Sequence, residues 1–196
     1  MNITKDKTID FPLYYIKPDT KKTEARKIAS EYALGWITYQ KGTGATGCII
    51  FDIDDTLIDG KERVSGGFEF MVSMYAKVHK LFPVHIVTAR PNEDHASCMD
   101  MLAGKGICIP PDRLHMLPSE LWGKDTCYVE EFKWECHKKC NRIHNGVIAR
   151  FGDKLWDVAH IQSLRTYLGH VKDKHCCLFF DPYLNGTLSV KLPGQG

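Results

Sequence analysis

Cys48-Ile-Ile-Phe-Asp-Ile-Asp-Asp-Thr-Leu-Ile-Asp59 is the stretch on which the fold and chemistry of this 196-residue chain turn. An apolar run, which reads as a buried β-strand, leads directly into four aspartates. Asp52 and Asp54 are two residues apart, a spacing that puts both side chains on one face of an extended backbone. Two carboxylates about 4 Å apart repel by about 4 kcal/mol at an effective dielectric near 20. Either a proton on one of them or a cation must compensate. An oxygen-only ligand set suits Mg2+, and one protonated partner would set a nucleophile beside a general acid. An aspartate-rich surface turn after a strand is the plainer alternative.

The pattern repeats outward from this segment. Further strand candidates at Val84–Val87, Arg113–Met116, Gly146–Phe151 and Cys176–Phe180, several of them apolar runs, alternate with helical stretches near 65–80, 92–104 and 129–143. Strands that are apolar throughout fit a parallel sheet covered on both faces, so the fold class is α/β. In such sheets ligands bind beyond the carboxyl ends of the strands, where Asp52 and Asp54 are expected. Residues 47–182 form this core. Residues 1–46 are an N-terminal extension with helical spacing over 21–36, where Ala25, Ile28, Ala29, Tyr32, Ala33 and Trp36 share a face. Residues 183–196 are a tail with an Asn-Gly turn and the alternating segment TLSVKLP.

Bulk properties narrow the function classes. With 43% apolar and 26% charged residues the chain is globular, neither disordered nor fibrous. A net charge of +2 gives no argument for nucleic acid or an anionic membrane. No apolar run approaches the ~18 residues of a membrane span, and no apolar stretch follows the early lysines, so a cytoplasmic protein is expected. In that compartment the eight cysteines are expected to be reduced and mostly buried, and the sequons at Asn2 and Asn185 carry no glycan.

The motifs then fall into a known order. Phe51-Asp52-Ile53-Asp54-Asp55-Thr56-Leu57 resembles the first motif of the haloacid dehalogenase (HAD) superfamily, an apolar strand followed by Asp-x-Asp-x-Thr. Val84-His-Ile-Val-Thr88 resembles the second, a strand ending in Ser or Thr. Gly152-Asp153-Lys-Leu-Trp-Asp157, directly after the strand VIARF, resembles the fourth. The third motif is a lysine on the helix before that strand. Phe132-Lys133 has the context of acid-phosphatase-like members and lies twenty residues before Asp153; Lys138 on the same helix is the alternative. The resemblance covers about residues 47–182, and the closing KLPG is also similar to such members.

The resemblance implies a Rossmann-like fold and a Mg2+-dependent phosphatase. Asp52 would be the nucleophile that forms an aspartyl-phosphate, and Asp54 the general acid and base. Thr88 and Lys133 would bind the phosphoryl group. Asp52, Asp54 (through its main-chain carbonyl), Asp153 and Asp157 would form the metal site. Each residue has a plainer role as well: Thr88 as a helix N-cap, Lys133 as a surface lysine, Asp153 and Asp157 as an exposed i, i+4 pair. Only 28 residues separate Asp59 from Thr88, and 44 separate Thr88 from Lys133, which leaves no room for a large cap domain. An open site follows, able to admit small phosphate esters, a phosphoprotein or a polynucleotide end, unless residues 1–46 or another subunit roof it. A phosphotransferase, phosphonatase or dehalogenase, or a non-catalytic binding protein on the same scaffold, are the competing readings.

Two other patterns carry less. Gly42-Thr-Gly-Ala-Thr-Gly47 spells a dinucleotide fingerprint, but it precedes a strand instead of following one. Cys136, Cys140 and His144 share a helix face and, with His137, suggest zinc, although no second ligand pair stands at the usual spacing. His85 and the vicinal Cys176-Cys177 read as packed strand residues.

Overall fold

The computed structural model describes residues 3–5, 13–17, 20–58, 68–160, 168, 171, 172, 174–181, 184 and 186–194. Asn2, Asn185, Asp59 and the start of the helix expected at 65–80 lie outside them. The described chain is an α/β layer structure with one eight-stranded sheet. Its strands are β1 (Ile3–Lys5), β2 (Leu13–Ile16), β3 (Cys48–Phe51), β4 (Val84–Pro91), β5 (Leu114–Leu117), β6 (Val147–Gly152), β7 (Cys177–Asp181) and β8 (Thr187–Lys191), in the spatial order β1-β2-β7-β8-β6-β3-β4-β5. The block β8-β6-β3-β4-β5 is parallel, while β7, β2 and β1 join antiparallel.

The parallel strands are buried along their length because helices cover both faces. On one face α1 (Lys22–Gly42), α2 (Phe68–Val78) and α3 (His95–Gly104) close a core around Ile49, Phe51, Ile86, Ala149 and Phe151, with the Phe51 and Phe151 rings stacked at 4.7 Å. On the other, α4 (Thr126–His144) packs Cys136 and Cys140 onto Cys48, Ile50, Val87 and Val147. The side-chain alternation of β3 thus sends Cys48 and Ile50 toward α4 and Ile49 and Phe51 toward α1.

The sheet draws on all three stretches distinguished in the sequence. The alternating TLSVK segment is β8, seated between β7 and β6, with β1 and β2 at the far edge. Arg150 of β6 reaches across β8, donating to Ser189 Oγ at 2.9 Å and ion-pairing with Asp181 of β7.

The helix expected over 21–36 runs further, to Gly42, and its buried face is rotated. Arg26, Ser30 and Ile37 are buried with Ala25, Ala29 and Ala33, while Tyr32 is 40% exposed and Ile28 and Trp36 are half-buried. Arg26 explains the rotation. Its guanidinium donates to the Pro193 carbonyl (2.9 Å) and the Asp55 carbonyl (3.2 Å), and lies 4.4 Å from the Phe68 ring centre. A polar side chain with such partners can sit inside, which an apolar count does not foresee.

Residues 43–47 join a helix to a strand, so the glycine pattern there cannot be the dinucleotide fingerprint, which needs the reverse order. All eight cysteines are free thiols; six are buried, and Cys108 and Cys127 are exposed. Among the described residues no helix is long and apolar enough to cross a membrane.

Candidate functional site

The strand order places the site. β3 has β4 on one side and β6 on the other, so the chain leaves it in one direction for the β4 side and returns on the β6 side, opening a crevice at their carboxyl ends. Asp52 is the first residue beyond β3, with its amide still bonded to the Phe151 carbonyl of β6 at 2.9 Å. Continuing the alternation of Cys48 and Ile50, its side chain faces α4, where Lys133 waits.

Lys133 is 2% exposed, and its ammonium donates to Asp52 Oδ1 at 2.6 Å and to Asp157 Oδ1. A surface role is therefore excluded for Lys133. Burial disfavours its charge, but the Asp157 and Asp52 carboxylates outweigh that and raise its pKa. Lys138, the other lysine considered, lies outside the site and pairs with Glu135 on the half-exposed face of α4.

Asp153 and Asp157 follow β6. Asp157 is 3% exposed and sits in a short helical turn, Leu155–Asp157, where its Oδ2 accepts the Lys154 amide at 2.9 Å. The exposed-pair reading of these two aspartates fails for the same reason. Gly152 is required here: a Cβ at that position would lie 2.0 Å from Asp157 Cβ. The glycine of the Gly-Asp pair makes room for the second acid four residues on.

Asp52, Asp153 and Asp157 each bring a carboxylate oxygen to within 4.8 Å of the others, all three buried. Burial pushes the Asp52 carboxyl well up, with Asp157 and Asp153 adding to the shift and Lys133 opposing it. Asp153 is pushed up to about 7, by burial first and then by Asp157. Among the described residues its Oδ2 has no hydrogen-bond partner, and the nearest cation, Lys154 Nζ, stands 3.7 Å away, too far to donate. An orphaned buried carboxylate oxygen beside two more carboxylates, with one ammonium among three negative charges, fits a small hard divalent cation.

Asp54 takes a different place. The extended-strand argument ends at Phe51, because the backbone turns after the strand and Asp55 adopts a left-handed φ of 54°. The Asp54 carboxylate does not join the other three. Arg90 grips both of its oxygens, Nε to Oδ2 at 2.9 Å and Nη2 to Oδ1 at 2.7 Å, and the pair is partly open to solvent. The amides of Thr56, Leu57 and Ile58 all converge on the Ile53 carbonyl, which holds this loop tight.

Thr88 is fully buried within β4, not at a helix start, and its Oγ1 accepts the Arg90 amide at 3.3 Å. Ile86 pairs with Phe51, so Thr88 sits at the level of the loop that follows β3. Arg90 lies two residues past the end of the quoted second motif and carried no assigned role. Its only sequence signal was a cation two residues beyond Thr88, which surface arginines share. The chain matches no protein-family model and no curated protein.

Proposed function

We propose that this chain is a magnesium-dependent phosphohydrolase of the haloacid dehalogenase type, with Asp52 as its nucleophile. The observation that carries the reading is Lys133, buried between Asp52 and Asp157 with the orphaned oxygen of Asp153 beside them. Three acids and one lysine are drawn from β3, α4 and the end of β6, at the crevice where an α/β sheet binds ligands. A structural ion pair would need neither the third carboxylate nor its unsatisfied oxygen.

Asp52, Asp153 and Asp157 would hold Mg2+, which when bound neutralises charge on the phosphoryl group and the carboxylates around it. Asp52 attacks phosphorus, forming an oxygen–phosphorus bond as the ester oxygen leaves. Lys133 stays beside Asp52 and offsets the negative charge that gathers there. Asp54 would give a proton to the leaving oxygen, once Arg90 has released one of the two carboxylate oxygens it holds and that oxygen has taken up a proton from solvent. The same carboxylate then takes a proton from the water that attacks the aspartyl-phosphate, and Asp52 and inorganic phosphate are regenerated. Thr88 stands on the adjacent strand as a hydroxyl donor to a phosphoryl oxygen. The part-exposed Arg90–Asp54 pair forms the outer rim of the site, which suits a phosphate monoester entering from solvent.

The test is hydrolysis of a generic aryl phosphate with and without chelator. Asp52→Asn keeps the shape and removes the nucleophile, so turnover falls by more than about a thousandfold while the circular dichroism spectrum is unchanged. Wild-type turnover in that variant, or activity indifferent to chelator, refutes the reading.

A further inference from the structure

Between α4 and the strands β4 and β5 lies a second cluster, separate from the carboxylates and soft in its donor chemistry. His85 of β4, His115 of β5 and Cys140 of α4 each bring a ring nitrogen or sulfur to within 4.8 Å of the others. His85 Nδ1 is 2.9 Å from His115 Nε2, and Cys140 Sγ is 3.9 Å from that same nitrogen. His85 Nε2 stands 2.7 Å from His144 Nε2, and the Cys48 thiol donates to the Gly146 carbonyl at 3.6 Å. His85 is 4% exposed and Cys140 fully buried.

We propose that His85, His115 and Cys140 bind a structural Zn2+ that fastens α4 to β4 and β5. Zinc takes imidazole nitrogen at about 2.0–2.1 Å and thiolate at about 2.3 Å in tetrahedral array. Such bonds set a nitrogen and a sulfur ligand about 3.6 Å apart, close to the 3.9 Å between His115 and Cys140. The two imidazoles, now at hydrogen-bond distance, open by about 0.4 Å as the ion replaces the proton between them. His85 then binds through Nδ1 and donates its Nε2–H to His144, the outer hydrogen bond that fixes the orientation of a metal-bound histidine.

The donor set separates this ion from the one at the carboxylates, since sulfur and imidazole select zinc over magnesium. It is also not the set that helix spacing suggested. Cys136 lies in the apolar cluster against β3, and His137 bonds Arg150. Only Cys140 and His144 of that helical group are here, joined by two strand histidines. Lys133 is seven residues before Cys140, about two turns up the same helix, so the ion would anchor the helix that positions it.

Metal analysis of the full-length protein, purified without chelator and dialysed against Zn2+ and excess Mg2+, tests this. About one Zn2+ per chain is expected in the wild type and in Asp153→Asn. Cys140→Ser and His115→Gln should each bind zinc about a hundredfold more weakly. Should those variants not fold, Co2+ titration of the stripped wild-type chain decides: a thiolate-to-cobalt charge-transfer band saturating at one equivalent supports the site. Absence of that band, or zinc lost from Asp153→Asn and retained in Cys140→Ser, overturns it.

Discussion

Stability of the metal-free protein should fall as pH rises through neutrality, and Asp153 should be a main cause. Its carboxyl is raised from an ordinary 3.8 to about 7 in the folded chain. Folding therefore favours the protonated acid. The resulting stability is fully present below about pH 4 and is lost as pH climbs through about 7. A shift of about three pKa units corresponds to roughly 4 kcal/mol, a sizeable part of the about 5–15 kcal/mol that holds a domain together. Urea unfolding followed by tryptophan fluorescence, in chelator, at steps from pH 4 to 8, measures it. Asp153→Asn removes the titrating group, so the difference between wild type and variant reports its titration together with its coupling to Asp52 and Asp157, and cancels groups outside the site, the soft cluster included. The two proteins should be similar near pH 4, and the variant should lead by roughly 4 kcal/mol at pH 8. Added Mg2+ at about a hundred times its Kd should restore about 3 kcal/mol to the wild type only. A flat difference across this range would show that the three buried carboxylates do not share the field on which the proposed site depends.

Removing the buried cation should be more damaging than removing an acid. Lys133→Met leaves Asp52 and Asp157 facing each other without their ammonium, and should lower unfolding free energy by about 3–5 kcal/mol at pH 8 and less near pH 4, as read by denaturant titration. Arg90→Lys keeps the charge but gives up the two-pronged grip on Asp54. Because the pair is partly exposed, stability should change by under about 1 kcal/mol, whereas kcat on an aryl phosphate should drop about ten- to a hundredfold; an unchanged kcat would detach Arg90 from the chemistry. Gly152→Ala forces a methyl into Asp157. It should cost about 1–3 kcal/mol and weaken Mg2+ binding by calorimetry, and a silent substitution would mean that Asp157 need not stay where it is.

The parts of the fold visible in the sequence were those with a regular period. Cys48–Phe51 is uniformly apolar, Val147–Phe151 and the 177–181 strand are apolar but for Arg150 and Asp181, and TLSVK alternates. That TLSVK lies inside the sheet was not visible, because strand order depends on long-range pairing that no local pattern encodes. The face of α1 was misjudged for a similar reason: Arg26 is buried by carbonyls from Asp55 and Pro193, far along the chain. Asp52, Lys133, Asp153 and Asp157 were legible as a set because three short segments carry them in a fixed order. Their convergence was legible only as an expectation, and the structure supplies the distances. Asp54 departs from its expected position beside Asp52 because an i, i+2 rule holds only while the strand lasts. Arg90 and the His85–His115–Cys140 group were invisible, each assembled from different elements with no shared sequence pattern.

The placement of β8 has a consequence for how the chain is made. β6 and β7 are synthesised before it, yet neither can take its final neighbour until residues 187–191 have left the ribosome and slipped between them. Until then β6 presents an open, apolar edge, a ready template for pairing with another copy. Arg150 and Asp181, which meet across β8, would be parted and wet for the whole of that interval. A nascent chain halted before residue 187 should therefore be sensitive to protease and prone to aggregate, and residues 187–191 should decide when the sheet closes.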